Sequence, residues 1–190
     1  KPASAVEGDF FVCIIATTWA VDPDEITITP PGGWGWYTTH YGEVQTIFVY
    51  YKTVGASEPV NYSFGIEQFP NASTFQARVF LGVYMRTHPT KKFVDPPRGW
   101  APDSQDTALI VPETIHWMDD TLHITAVDNY VNSEVHDDQT PQLGYTERAE
   151  VETESVSGSN PVKRSLMIAD RLYRPRGSTG IVTHNSNLAG

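Results

Sequence analysis

Runs of four to eight apolar, β-branched and aromatic residues recur along this chain, separated by glycines, prolines and short polar clusters. That rhythm is the mark of strands joined by turns, and the three-to-four spacing of an amphipathic helix is almost absent. Seven segments are predicted as strands: Asp9–Thr17, Gln45–Val54, Val60–Glu67, Phe75–Arg86, Thr107–Pro112, Thr121–Val131 and Arg164–Tyr173. In the second, Ile47, Val49 and Tyr51 alternate with Phe48, Tyr50 and Lys52, so both faces are partly apolar, as in a central strand. In Thr121–Val131 the apolar Leu122, Ile124 and Ala126 share one face, which predicts that His123 on the other looks outward. Arg164–Tyr173 is ambiguous, because Leu166, Ala169 and Tyr173 also fit a helical stripe. The pattern as a whole predicts an all-β fold with two packed antiparallel sheets in a single domain, residues 1–190.

Two stretches interrupt the pattern, residues 86–106 and 133–147, and prolines at 89, 96, 97, 102 and 141 keep them out of central ladders. Connections of this length in a β domain are usually ordered loops with a task, so both are expected to be contact arms. The stretch Ile28–Gly42, "ITPPGGWGWYTTHYG", reads as a corner followed by exposed aromatics: prolines end a strand, glycines allow the reversal and Trp34 packs inward.

Composition narrows the function classes. A net charge of −10 and a pI near 4.9 remove the phosphate attraction on which nucleic-acid binding rests. No apolar run approaches the ~20 residues of a spanning helix, so no membrane insertion is expected. Acidic residues thicken at Glu147–Ser155, which reads as a solvated strand or loop face. Cys13, the one cysteine, sits in "FFVCII" as a small buried hydrophobe, and no disulfide exists within one chain. The start "KPASAVEGDFF" shows none of the parts of a signal peptide.

Catalytic signatures are missing. Asp22, Asp24 and Glu25, Asp119 and Asp120, and His136 with Asp137 and Asp138 offer carboxylates of the kind calcium prefers, but without the spacing of a calcium loop they read as turn residues. Six histidines, at 40, 88, 116, 123, 136 and 184, stand singly, with no zinc-type pair. No nucleophile elbow, phosphate loop or dinucleotide fingerprint occurs, and the sequons at Asn61 and Asn71 matter only in a eukaryotic secretory setting. The expectation is a non-enzymatic protein with no cofactor and no metal. Its binding residues are expected among the aromatics Trp36, Tyr37, Tyr41 and Trp100, since exposed rings with a polar rim hold carbohydrate or protein surfaces.

Several pieces, read in order, resemble a domain of bacteriophage tail proteins, often minor tail or fibre components, and of some bacterial surface proteins. They are "PASAVEGDFFVCIIA", "ITPPGGW", "FVYYKTVGASEPVNYSFGIE", "VFLGVYMRTHP", "TIHWMDDTLHITAVD" and "RSLMIADRLYRPRGSTGIVT", and they span nearly the whole chain. The resemblance implies a jelly-roll-like β-sandwich in a virion, tail favoured over head, whose partners are other virion proteins, copies of itself or a host-surface glycan. It also implies that a strand is missing at each end, to be supplied by a longer chain or a neighbour. Three other readings stay open: a carbohydrate-binding module of a bacterial surface or secreted protein, a capsid decoration protein, and a polysaccharide-cleaving tail protein with paired carboxylates.

Overall fold

The structure, a computed structural model, describes residues 3–18, 26–41, 45–68, 77–84, 108–111, 115–116, 119–131, 139–157, 160–174 and 176–186. Every regular element among them is a strand and the fold is all-β, with several antiparallel sheets in two units, Lys1–Phe93 and Val94–Gly190.

In the first unit β1 (Phe10–Thr18), β2 (Ile26–Thr29), β3 (Gly35–Tyr41), β4 (Gln45–Thr53), β5 (Gly65–Gln68) and β6 (Ala77–Tyr84) follow one another. Four of them form a sheet in the order β3-β4-β1-β6, and β2 pairs with β5 as a ribbon. The central place of β4 agrees with its two apolar faces. Phe11, Cys13 and Ile15 from one face of β1 join Ile26 and Ile28 of β2, Phe48 and Tyr50 of β4, and Trp34 and Val54 in a buried cluster. Each large side chain so buried contributes about 1.5–3 kcal/mol. The Tyr50 hydroxyl donates to the Ile28 carbonyl at 3.2 Å, fastening the ribbon to the sheet.

The corner before β3 is a type II turn. Trp34 N–H donates to the Pro31 carbonyl at 3.3 Å, and Gly33 at the third position has φ +85°, which a side chain would resist. Trp34 is 8% exposed and stacks on Phe11 at 6.0 Å, with Tyr62 and Phe64 edge-on at 5.3 Å, so it is core. The Gly-Asp before β1 is a second fastening: Gly8 N–H donates to the Val54 carbonyl, Val54 N–H to the Asp9 carbonyl, and the Asp9 carboxylate accepts from Val6 N–H.

The second unit contains β7 (Ala108–Val111), β8 (Ile115–His116), β9 (Thr121–Val131), β10 (Gln139–Thr140), β11 (Thr146–Ser157), β12 (Asn160–Tyr173), β13 (Gly177–Ser178) and β14 (Val182–Ser186). They form three sheets, β11-β12-β9, β10-β14-β7 and β13-β8. The segment that also fitted a helix is β12, the middle strand of its sheet, and Leu166–Ala169 have no exposed surface on either face. Covered on both sides, a strand loses its alternation, which is why period could not type it. Gln139 of β10 donates to the carbonyl (3.1 Å) and hydroxyl of Ser165, and Tyr145, Ala169 and Val182 pack together, so β10-β14-β7 lies over one face of β12.

Three expectations change. In place of a strand over Val60–Glu67 the structure has the shorter β5, Gly65–Gln68. Gly35–Tyr41 and Val182–Ser186 are strands where none was expected, and β10 interrupts the stretch 133–147. His123 does not face outward: Thr125 on the same face is 2% exposed with its hydroxyl on the Ala169 carbonyl, and His123 packs against Tyr145 and Tyr173. The arm 86–106 lies outside the described residues.

Candidate functional site

Strand β3 is a terminal strand of its sheet among the described residues, and it carries the aromatic stretch. Trp36 lies opposite Tyr50 and Thr38 opposite Val49, so Tyr37 is the extra residue of a β-bulge. Beyond the bulge Thr39 lies opposite Phe48, and because Phe48 and Tyr50 share a face, so do Trp36 and Thr39. Strict alternation over three residues would have set them on opposite faces. The Trp36 indole is 63% exposed, and its Nε1–H donates to the Thr39 hydroxyl at 3.0 Å. One edge of the ring is therefore fixed while its surface is open to solvent.

Behind this residue the strand is held close. An added Cβ at Gly35 would meet the Tyr51 ring at 2.6–2.9 Å, so only glycine lets that ring lie across the backbone. Tyr51 in turn packs against Phe10 with ring centres 5.8 Å apart. Tyr37 is half-buried, Tyr41 ends β3 opposite Thr46, and Trp100 lies outside the described residues. Of the four candidate residues the structure thus brings Trp36, Tyr37 and Tyr41 onto one edge strand. Sequence reasoning missed Thr39 and Gly35, since a bulge leaves no local signal in a run of aromatic and threonine residues. In the same strand burial pushes the His40 imidazole below its ordinary range.

The corner beneath β3 is stapled by charge. Glu58 accepts from Lys52 Nζ at 2.7 Å, the Tyr62 hydroxyl at 2.5 Å and Gly55 N–H at 2.6 Å, with its side chain 2% exposed. Burial alone would raise this carboxyl, but hydrogen bonds from Lys52, Tyr62 and Gly55 and the Lys52 charge win, and it is held at about 2. Lys52 also lies over the Tyr62 ring at 5.4 Å. The "YYK…GASEP…Y" and "PPGGW" pieces, separate in sequence, are one packed unit through Tyr62 and Trp34.

A second cluster gathers polar aromatics in the other unit. The Tyr145 hydroxyl lies 2.6 Å from His123 Nδ1 and 3.2 Å from the Tyr173 hydroxyl, and Arg171 sits over the Tyr173 ring at 4.8 Å. His184 meets the Tyr145 ring edge-on at 5.5 Å. Two histidines far apart in the chain thus flank one phenol. Burial, with the Tyr173 hydrogen bond, pushes the Tyr145 phenol well above its ordinary range, so it stays protonated and acts as a link in a hydrogen-bonded chain rather than as a base. Among the described residues no group of three His, Cys, Asp or Glu side chains is placed to hold a metal ion. Asp119 and Asp120 serve a turn: the Asp119 carboxylate accepts from Arg176 N–H at 2.7 Å, and Asp120 has φ 55°.

Comparison with known proteins finds no matching family model, no matching curated protein and no matching solved structure.

Proposed function

We propose that this chain is a non-enzymatic structural and adhesive component of a bacteriophage virion, of the tail rather than the head, that works by surface contact along the edge of β3. The motif pieces spread over the chain support the virion setting and a jelly-roll-like sandwich as its architecture. The contact role rests on one observation: Trp36 is 63% exposed on a strand that is terminal among the described residues, yet its indole is anchored through Thr39. A large ring already fixed in place loses little entropy on binding, and such residues dominate interface energies. The partner is another virion protein, a second copy of this chain or a host-surface glycan.

A carbohydrate-binding module of a bacterial surface or secreted protein is the second reading, and one feature favours it. The Nε1–H of Trp36 is already donated to Thr39, so what the ring offers is its flat face, the part that stacks on a pyranose. Sedimentation velocity and a glycan array, run on the native chain and on Trp36→Ala, test the contact role and separate the two readings. Self-association, or binding to particle proteins, that Trp36→Ala weakens about tenfold or more supports the first; glycan binding lost in the same variant supports the second. A chain that stays monomeric, binds no particle protein and leaves the array blank contradicts both. The virion setting has its own check, the presence of this chain in purified particles by mass spectrometry.

A further inference from the structure

The turn that leads into β11 hangs on a buried histidine. Tyr145 N–H donates to the Gln142 carbonyl at 2.9 Å and Gly144 has φ +93°, which makes Gln142–Tyr145 a type II turn with Leu143 at its tip, 94% exposed. Gln142 is tied twice to β14. Its N–H donates to His184 Nδ1 at 3.1 Å, and its side-chain oxygen accepts from Thr183 N–H at 2.6 Å. His184 has no exposed surface, and its Nε2 has no hydrogen-bond partner among the described residues.

Hydrogen-bond roles fix the state of this ring. A nitrogen that accepts from a backbone N–H presents a lone pair, so the proton of His184 is on Nε2 and the imidazole is neutral. A second proton has to go to Nδ1. It would turn the acceptor into a donor aimed at the Gln142 donor, and set a full charge, with no exposure to solvent, against Tyr145, which is itself packed with Val182 and Ala169.

Among the described residues no carboxylate pairs with the ring. The groups gathered around Tyr145, the aromatic ring that His184 meets, are His123 of β9 and Tyr173 of β12, with Arg171 of β12 over the Tyr173 ring. Tyr145 contributes a neutral phenol. On β11 Glu147 is exposed and Glu150 accepts from Gln139 N–H at 3.1 Å, while β7 and β10 carry no ionisable residue in their sequences.

We propose that His184, Gln142 and the 142–145 turn form an acid-sensitive latch: protonation of His184 releases the turn and the neighbouring end of β14 while β12 stays paired. Burial holds the imidazole down at about 4, against an ordinary value of 6.5. The released state therefore binds the proton more tightly than the latched one, so latching is complete above pH 6.5 and weakens as pH falls toward 4. A partner that meets Leu143 at the tip would meet an ordered turn at neutral pH and a released one in acid.

Hydrogen exchange between pH 7.5 and 4.5, corrected for the intrinsic rate, tests the latch. Protection at Thr183 and Gln142 is expected to fall at least about tenfold below pH 6.5, with amides of Leu166–Ile168 unchanged. His184→Asn keeps an acceptor near the Nδ1 position without a titrating ring, and its turn should stay protected through the same range. Should that variant fail to fold, the ¹⁵N shifts of His184 in the native chain decide: Nε2 protonated and Nδ1 bare at pH 7.5 is expected. Unchanged turn protection across the range, an equal loss in His184→Asn, or a protonated Nδ1 at pH 7.5 overturns the proposal.

Discussion

Gly35 and Tyr51 show how one absent side chain shapes the edge strand. The Tyr51 ring occupies the place of a Cβ at Gly35, so Gly35→Ala has to push that ring off the strand and away from Phe10. A loss of about 1–3 kcal/mol is expected in chemical denaturation, with most of it recovered when Tyr51 is also replaced by leucine. The Lys52–Glu58–Tyr62 staple behaves differently, because Glu58→Gln leaves Lys52 with a weaker acceptor while Tyr62 keeps one. A destabilisation of about 1–3 kcal/mol is expected there, and a native charge on Glu58 down to about pH 2 by ¹³C titration. At this scale much was legible. Trp34 after Gly-Gly is core because the turn aims it at Phe11, and Cys13 is 1% exposed, its thiol pushed up to about 12 by burial. His123 was not legible, since its cover comes from Tyr145 and Tyr173, which neither alternation nor spacing links to it.

The strands separate what alternation reveals from what it hides. β9 spans the residues read for it, Thr121–Val131, and β1 and β4 lie within one residue of expectation because their apolar runs end at turn residues. β3 was missed, since glycine, threonine and tryptophan dilute its pattern and the bulge at Tyr37 breaks its period. β11 looked like a solvated face and is that, in strand form: it ends its sheet among the described residues, with Glu147 and Glu152 exposed along it. Carboxylates on a terminal strand discourage another strand from adding to it. Replacing Glu147 and Glu152 by valine is therefore expected to leave β11 paired with β12 but to raise aggregation, measured by light scattering at neutral pH. A variant as soluble as the native chain would count against that role for the acidic run.

Acid treatment should reveal the whole molecule as two units that respond in sequence. In both cases the folded state holds the group below its ordinary value, so stability is lost as pH falls and not as it rises. The windows differ: His184 loosens its unit between pH 6.5 and about 4, and Glu58 its own between 4.5 and about 2. Exchange monitored by mass spectrometry should show the segments around 142–145 and 182–186 losing protection first, and 52–62 only in stronger acid. Simultaneous loss in both units would contradict the assignment of separate triggers. At this scale the sequence conveyed the class, all-β, through its strand rhythm, and left the grouping of strands into sheets unread, because β12, beyond its hairpin with β11, pairs with β9 across two intervening strands, a contact that local pattern does not specify.

The proposal that β3 is a contact edge of a virion component is tested most directly by photo-crosslinking in the particles that this reading expects to contain the chain, with a benzophenone amino acid in place of Trp36 and, as control, in place of Val79, which is 49% exposed on β6. A crosslink from position 36 to a neighbouring protein or another copy of the chain, absent or weaker from position 79, is the expected result. Crosslinking from position 79 with none from position 36 would place the contact elsewhere and contradict it.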